Sequence, residues 1–328
     1  MSGAVQLPDT RALACGIRAG ERAALATALN LLDDQREVSR ARAGELLCDL
    51  QAQSQEPQGR LIGITGPPGA GKSSLSAALI RHWRQHVLRV GVLAVDPSSP
   101  VSGGALLGDR LRMKTSAEDD GVFVRSLACR GEFGGLSAEV WPMSLVMLAA
   151  FDVTLVETVG VGQREVDISA MCDTTCFVAQ PGSGDSIQFL KAGILEVPHV
   201  LVVNKEDMGA VARRTLSELG AAMIREHADG DWQIPVLAAS ATRGTGIEAL
   251  AEALEAHHQS LLRRNALAAR RRRYQVQWIG KRLEEEFGSF GVQCLGGPTA
   301  LRESLLAEKG SLYAIHESYR QRLLHRYL

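Results

Sequence analysis

The stretch Gly66-Pro67-Pro68-Gly69-Ala70-Gly71-Lys72-Ser73 constrains this chain more than any other. It fits the phosphate-loop pattern GxxxxGK[ST] at every fixed position. The run before it, Arg60-Leu61-Ile62-Gly63-Ile64-Thr65, is short and β-branched, as a buried strand is. The run after it, Ser74-Leu75-Ser76-Ala77-Ala78-Leu79-Ile80, is apolar at helical spacing. Strand, glycine turn and helix start together make a cradle for an anion. Glycines let backbone N–H groups point inward, and the helix N-terminus adds partial positive charge. In this pattern Lys72 reaches the β- and γ-phosphates of a nucleotide and the Ser73 hydroxyl takes Mg²⁺, with Ser74 closing the phosphate-binding set.

Strand and helix alternate downstream of that loop. Candidate strands fall at 61–65, 91–95, 122–126, 153–157, 175–179, 199–203 and 235–239. Most are apolar throughout, as parallel strands covered on both faces are. Helical segments between them imply right-handed crossovers and a doubly wound α/β fold, a P-loop NTPase with a mostly parallel sheet. On either side the strand signal is missing. Residues 10–54 read as helices; within them Leu25, Ala28, Leu29 and Leu32 keep i, i+3, i+4, i+7 spacing. Helical patterns return at 263–328, where Arg270-Arg271-Arg272-Arg273 precedes Tyr274, Trp278 and Glu284-Glu285-Glu286. The expected division is a helical extension at 1–57, a P-loop domain at 58–262 and a helical arm at 263–328.

A chain of 328 residues has room for this division. A net charge of −1 supplies no general field toward nucleic acid or membrane, so neither is expected as a partner. The arginine cluster reads as a solvated face, since acidic residues follow in the same helix. The first ten residues lack a basic start and an apolar core, so no signal peptide is expected. The most apolar run, 143–156, is interrupted by Asp152 and too short to span a bilayer. Six scattered cysteines make no disulfide framework, which points to a cytoplasmic location. Cys172 and Cys176, without a nearby histidine, read as core residues, and His257-His258 as a solvated pair.

Asn204-Lys205-Glu206-Asp207 follows the sixth candidate strand and fits the NKxD pattern that reads guanine. An Asp carboxylate accepts from guanine N1–H and its exocyclic amine. Adenine offers neither donor, and a recognition carboxylate left unpaired is costly. Ser240-Ala241, after the seventh strand, fits the short loop that supports the base. Glu157-Thr158-Val159-Gly160 is ExxG where many GTPases have DxxG. Its carboxylate would hold an Mg²⁺-bound water, and Gly160 would let a backbone N–H approach the γ-phosphate. Val161 occupies the slot that carries a water-orienting glutamine in Ras-like proteins, and Gln163 is not assigned that role. Slow intrinsic hydrolysis follows. Asp96 follows the second strand, at its carboxyl end, and Asp109 lies in a glycine-rich loop that suits a nucleotide-sensing segment, either near the metal or as a helix cap or surface acid.

The stretches GPPGAGKSS, VDPSSPVSGGALLGDRLRM, RSLACRGEFGGLS, VETVGVGQREVD, QPGSGDSIQFLKAGI and VVNKEDM carry a specific likeness. On them the chain resembles the MeaB/ArgK family of P-loop GTPases, G-protein chaperones of adenosylcobalamin-dependent acyl-CoA mutases. The resemblance covers all but the first few residues. It implies GTP and GDP as ligands, with Lys72, Asp109, Glu157 and Lys191 serving the reaction. It places Mg²⁺ among Ser73, Asp96, Asp109 and Glu157, and guanine on Asn204, Lys205 and Asp207. Switches are implied at 109–113 and 157–167. A third, at 182–191, would answer the mutase through Asp185, Gln188 and Lys191. The C-terminal helices would make a homodimer. Glu206, Cys129 and Glu132 depart from the usual pattern. Two alternatives stay open: a nickel-delivering maturation GTPase, which calls for Cys/His ligands near the switches, and a small-molecule kinase, which calls for an acceptor site.

Overall fold

Continuous apolar runs become seven strands of one all-parallel sheet in the computed structural model, which describes residues 8–52, 59–96, 119–128, 139–158, 168–182, 198–226 and 232–327. In chain order the strands are β1 (Arg60–Thr65), β2 (Val90–Asp96), β3 (Val122–Ala128), β4 (Val153–Thr158), β5 (Thr174–Ala179), β6 (Val200–Val203) and β7 (Val236–Ala238). Their spatial order is β3-β2-β4-β1-β5-β6-β7. The chain leaves β1 toward one edge and later returns to build the other, so β1 sits where the winding reverses. In open α/β sheets that reversal opens a crevice beyond the strand carboxyl ends, where ligands bind.

Alternate residues feed two cores, because successive strand side chains face opposite ways. Val178, Val200 and Val202 join Ile62, Ile64 and Leu155 beneath α4 (Lys72–Gln85) and α7 (Ile247–Arg263), which contribute Leu75, Leu79, Leu250 and Leu254. Phe177, Ala179, Leu201 and Val203 face the other way, onto Ala212, Leu219 and Met223 of α6 (Ala210–Glu226). The pair His257-His258 is not solvated as expected but 1% and 2% exposed. The His257 Nδ1 is 2.8 Å from the Thr174 hydroxyl, and its ring lies 4.2 Å from that of His199. His257 is buried on this amphipathic helix with a hydroxyl of β5 as its partner. Cys172 and Cys176 are buried, as expected of core residues.

The chain divides into two compact units. The sheet with α4, α6 and α7 belongs to residues 59–137 and 151–267. The other unit gathers residues 1–58, 138–150 and 268–328. It contains α1 (Thr10–Ala19), α2 (Arg22–Asp33), α3 (Glu37–Ala52), α5 (Val140–Ala150), α8 (Leu267–Cys294), α9 (Gly297–Ala307) and α10 (Leu312–Tyr327). The helical spacing on α2 holds: Leu25, Ala28, Leu29 and Leu32 are all buried. A helix as apolar as α5 is buried on nearly every side, which explains its membrane-like composition. No helix among the described residues is long and apolar enough to cross a membrane. Gly288 breaks the helical path of α8 with φ 68°, a left-handed value that glycine adopts readily.

His316 of α10 is buried in this helical unit, with Nε2 4.0 Å from Glu286 and its ring against Trp278. Burial pushes its pKa down to about 4; Glu286 and Glu317 oppose the shift, while Arg282 and Arg40 add to it. Between about pH 4 and 6.5 the unfolded chain therefore binds more protons at this site than the native one, so stability rises with pH across that window and is lost as pH falls. Denaturant midpoints should drop between about pH 6.5 and 4.5, and His316→Gln should flatten that slope. An identical slope in the variant would remove His316 from the account. Burial of Glu139 raises its pKa and acts in the opposite sense, so the variant isolates the histidine part.

Candidate nucleotide site

The clusters expected to hold a nucleotide meet at the carboxyl edge of the sheet. The loop 66–71 joins β1 to α4, Glu157 is the penultimate residue of β4, Asn204 follows β6, and Ser240 follows β7. Two glycines show why the loop needs its composition. Gly66 has φ 143°, and a Cβ there would strike the Val178 carbonyl oxygen. Gly71 has φ 88°, and a Cβ there would come within 2.5 Å of the Asn204 amide nitrogen. The chain can pass this close only without side chains.

Lys72, the first residue of α4, is 6% exposed. Its ammonium donates to the carbonyls of Gly66, at 2.8 Å, and Pro67, at 3.0 Å. A buried ammonium must be paired, and here the loop itself solvates it, so the charge is held inside the ring of glycines. Pro68 and Ser74 are exposed, while Ala70 is buried. The neighbouring Ser73 hydroxyl donates to Glu157 Oε1 at 2.5 Å. Glu157 is 1% exposed, at the end of a strand buried along its whole length. A hydroxyl and a carboxylate converging at a helix N-terminus are hard oxygen donors of the kind Mg²⁺ takes, so this pair fits the metal.

The base loop is tied to the phosphate loop through side chains. Asn204 is 2% exposed; its amide donates to Ala70 O at 2.9 Å and Gly71 O at 3.3 Å, and its Oδ1 accepts from Ala241 N at 3.2 Å. Lys205, held at φ 59°, donates from Nζ to Gly69 O at 2.6 Å. Two of the three NKxD residues expected to hold guanine thus brace the loop that would hold phosphate. Asp207 remains exposed, with Oδ1 accepting from the Ser240 hydroxyl at 2.5 Å. That hydrogen bond, above all, keeps the Asp207 carboxyl below the usual range. A second acceptor oxygen stays available on an ionised, oriented carboxylate.

Sequence reasoning missed one pair. Glu206, a departure from the usual pattern, accepts through Oε2 from the Thr245 hydroxyl at 3.0 Å. Thr245 is bridged to Ser240, whose N–H donates to the Thr245 carbonyl at 3.0 Å. The variable residue of NKxD therefore fastens the loop that orients Asp207. No motif signals a partner 39 residues away. Asp96 ends β2 at the same sheet edge. Its side chain lies outside the described residues, as do Asp109, Gly160, Lys191, Asp185, Gln188 and Cys129.

A glycine loop gripping a buried lysine, a serine-carboxylate pair beside it and an acid-bearing base loop on one parallel sheet define a P-loop GTPase, an enzyme that binds and hydrolyses GTP. The chain belongs to the MeaB family: residues 25–290 match the family described as methylmalonyl Co-A mutase-associated GTPase MeaB. A Pyrococcus abyssi protein named as a GTPase is 41% identical over 275 residues, 82% of this chain and 80% of its own. GTPase ArgK of Escherichia coli is 34% identical over 312 residues, 93% of each chain. The crystal structure of LAO/AO transport system kinase superposes with a TM-score of 0.69, at 26% identity over 97% of both chains.

Proposed function

We propose that this GTPase is the nucleotide-driven helper of an adenosylcobalamin-dependent acyl-CoA mutase, of the methylmalonyl-CoA mutase type, gating its cofactor loading and protecting it. The observation that carries the reading is the Ser73–Glu157 hydrogen bond. It joins the phosphate loop to β4, the strand that precedes 159–167, so a change at the γ-phosphate is felt at that strand's carboxyl end. The family's own description supplies the class of partner.

In this reading Gly66, Pro67, Pro68, Gly69, Ala70, Gly71, Ser73 and Ser74 surround the phosphates, and Lys72 leaves its two carbonyls for the β- and γ-phosphate oxygens. Ser73 and Glu157, with Asp96 and Asp109, would hold Mg²⁺, which would supply neutralising charge for the phosphate oxygens. Asp207 reads guanine; Asn204, Lys205, Ser240 and Ala241 fix its loop. Gly160 would let a backbone N–H approach the γ-phosphate, and Val161 offers no side-chain amide to orient water, so intrinsic hydrolysis is slow. The mutase acts through the segment 182–191, including Lys191, and raises the rate. Residues 263–328 pair two copies, and the protein works in the cytoplasm. A GTP-bound state differs from a GDP-bound one only through differential contacts, and the γ-phosphate supplies them.

Single-turnover hydrolysis of GTP, with and without candidate mutases, tests the proposal. The expected result is an increase of at least about tenfold, ~1.4 kcal/mol of barrier, with the cognate mutase. Equal rates with every mutase of this cofactor class would overturn it.

A further inference from the structure

The helical unit carries a half-open cleft of about 340 Å³ lined by α3, α5 and α8. Ligand sites, which are clefts or cavities, start near ~300 Å³. Leu47 and Leu50 of α3 and Trp141, Leu145 and Leu148 of α5 make an apolar wall. Arg271 and Arg272 of α8 supply charge, and no carboxylate among the described residues lines the space.

Two features give the cleft a chemical preference. Trp141 is 4% exposed, yet its buried Nε1–H has no acceptor among the described residues. The ring itself is fixed edge-on to Tyr274, with centroids 5.5 Å apart. A buried donor without an acceptor is uncommon in folded proteins. Arg272 donates to Gln275 Oε1 and to the Leu305 carbonyl, both at 2.6 Å, and to the Glu308 carbonyl. These acceptors are neutral, so the guanidinium charge meets no carboxylate among the described residues. An apolar wall holding a buried, unsatisfied indole donor, beside a guanidinium lacking a counter-charge, suits a ligand with an apolar body and one anionic acceptor head.

We infer that this cleft binds a medium-chain acyl carboxylate, with the chain against Leu50, Leu145 and Leu148 and the carboxylate toward Arg272 and the Trp141 indole. The site is separate from the nucleotide residues in sequence and belongs to the other compact unit. Its occupancy is independent of whether the partner is a mutase.

Octanoate, titrated calorimetrically into the full-length GDP-bound protein, is the probe, with octan-1-ol and octylammonium as comparisons. The expected result is saturable binding of one octanoate per chain, at least about tenfold tighter than either comparison. Arg272→Gln should weaken octanoate by about tenfold and leave octan-1-ol unchanged, since it removes the positive charge and leaves the apolar wall in place. Trp141→Phe, which keeps an aromatic ring and deletes the N–H, should weaken octanoate severalfold with the same indifference to octan-1-ol. GTP turnover of each variant, expected to match wild type, reports that the fold is intact. The inference is overturned if octanoate shows no saturable binding, if octan-1-ol binds as tightly, or if both folded variants keep full octanoate affinity.

Discussion

Lys72→Ala is expected to lower single-turnover GTP hydrolysis by about 10²–10³-fold, ~2.7–4 kcal/mol of barrier, and to weaken GTP binding as well. The effect is large because of where the charge sits. The ammonium is 6% exposed and is solvated by the Gly66 and Pro67 carbonyls, so it is already positioned before nucleotide arrives. Little reorganisation is needed when phosphate oxygens take over from the carbonyls, and charge-assisted bonds to an anion are stronger than those they replace. Alanine also leaves two loop carbonyls facing an incoming polyanion with no cation between them. Single-turnover rates and calorimetric affinities measured on the same preparation check both halves. A variant within about twofold of wild type in both would remove Lys72 from the site.

Asp207→Asn is expected to cut GTP affinity by roughly a hundredfold or more while raising affinity for xanthosine triphosphate. Guanine presents two donors along one edge, N1–H and the 2-amino group, and a carboxylate accepts both. An asparagine amide keeps one acceptor and turns the other position into a donor, which faces the guanine amine. Xanthine carries a carbonyl at that position and pairs with the amide instead. The Ser240 hydroxyl donates to one carboxylate oxygen of Asp207 and fixes the plane in which the other is presented. Competition binding with the two triphosphates measures the exchange. Loss of both affinities together would mean that Asp207 holds the loop and does not read the base.

The parallel sheet was legible because its central strands are buried on both faces, so composition alone marks them. A polar-apolar alternation was not needed in β4, where Val153, Leu155 and Val156 are all fully buried. The phosphate and base loops were legible because their residue types are dictated by backbone geometry, as at Gly66 and Gly71. Other features depend on partners far away in the chain. The burial of His257 rests on Thr174, and the pairing of Glu206 rests on Thr245. Neither carries a local pattern. Residues 138–150 group with the terminal helices and not with the sheet. An all-round apolar run says that α5 is buried but not against what. The break at Gly288 was equally silent, since a lone glycine in a helical pattern is compatible with an unbroken helix.

Competition calorimetry between GTP and ATP on the wild-type chain in Mg²⁺ puts the whole assignment at risk, because an exposed, ionised Asp207 must choose the purine while the loop around Lys72 grips the phosphates. GTP is expected to bind at least about a hundredfold more tightly than ATP, and Asp207→Asn to abolish most of that margin. Equal affinity of the wild-type chain for the two nucleotides would contradict it.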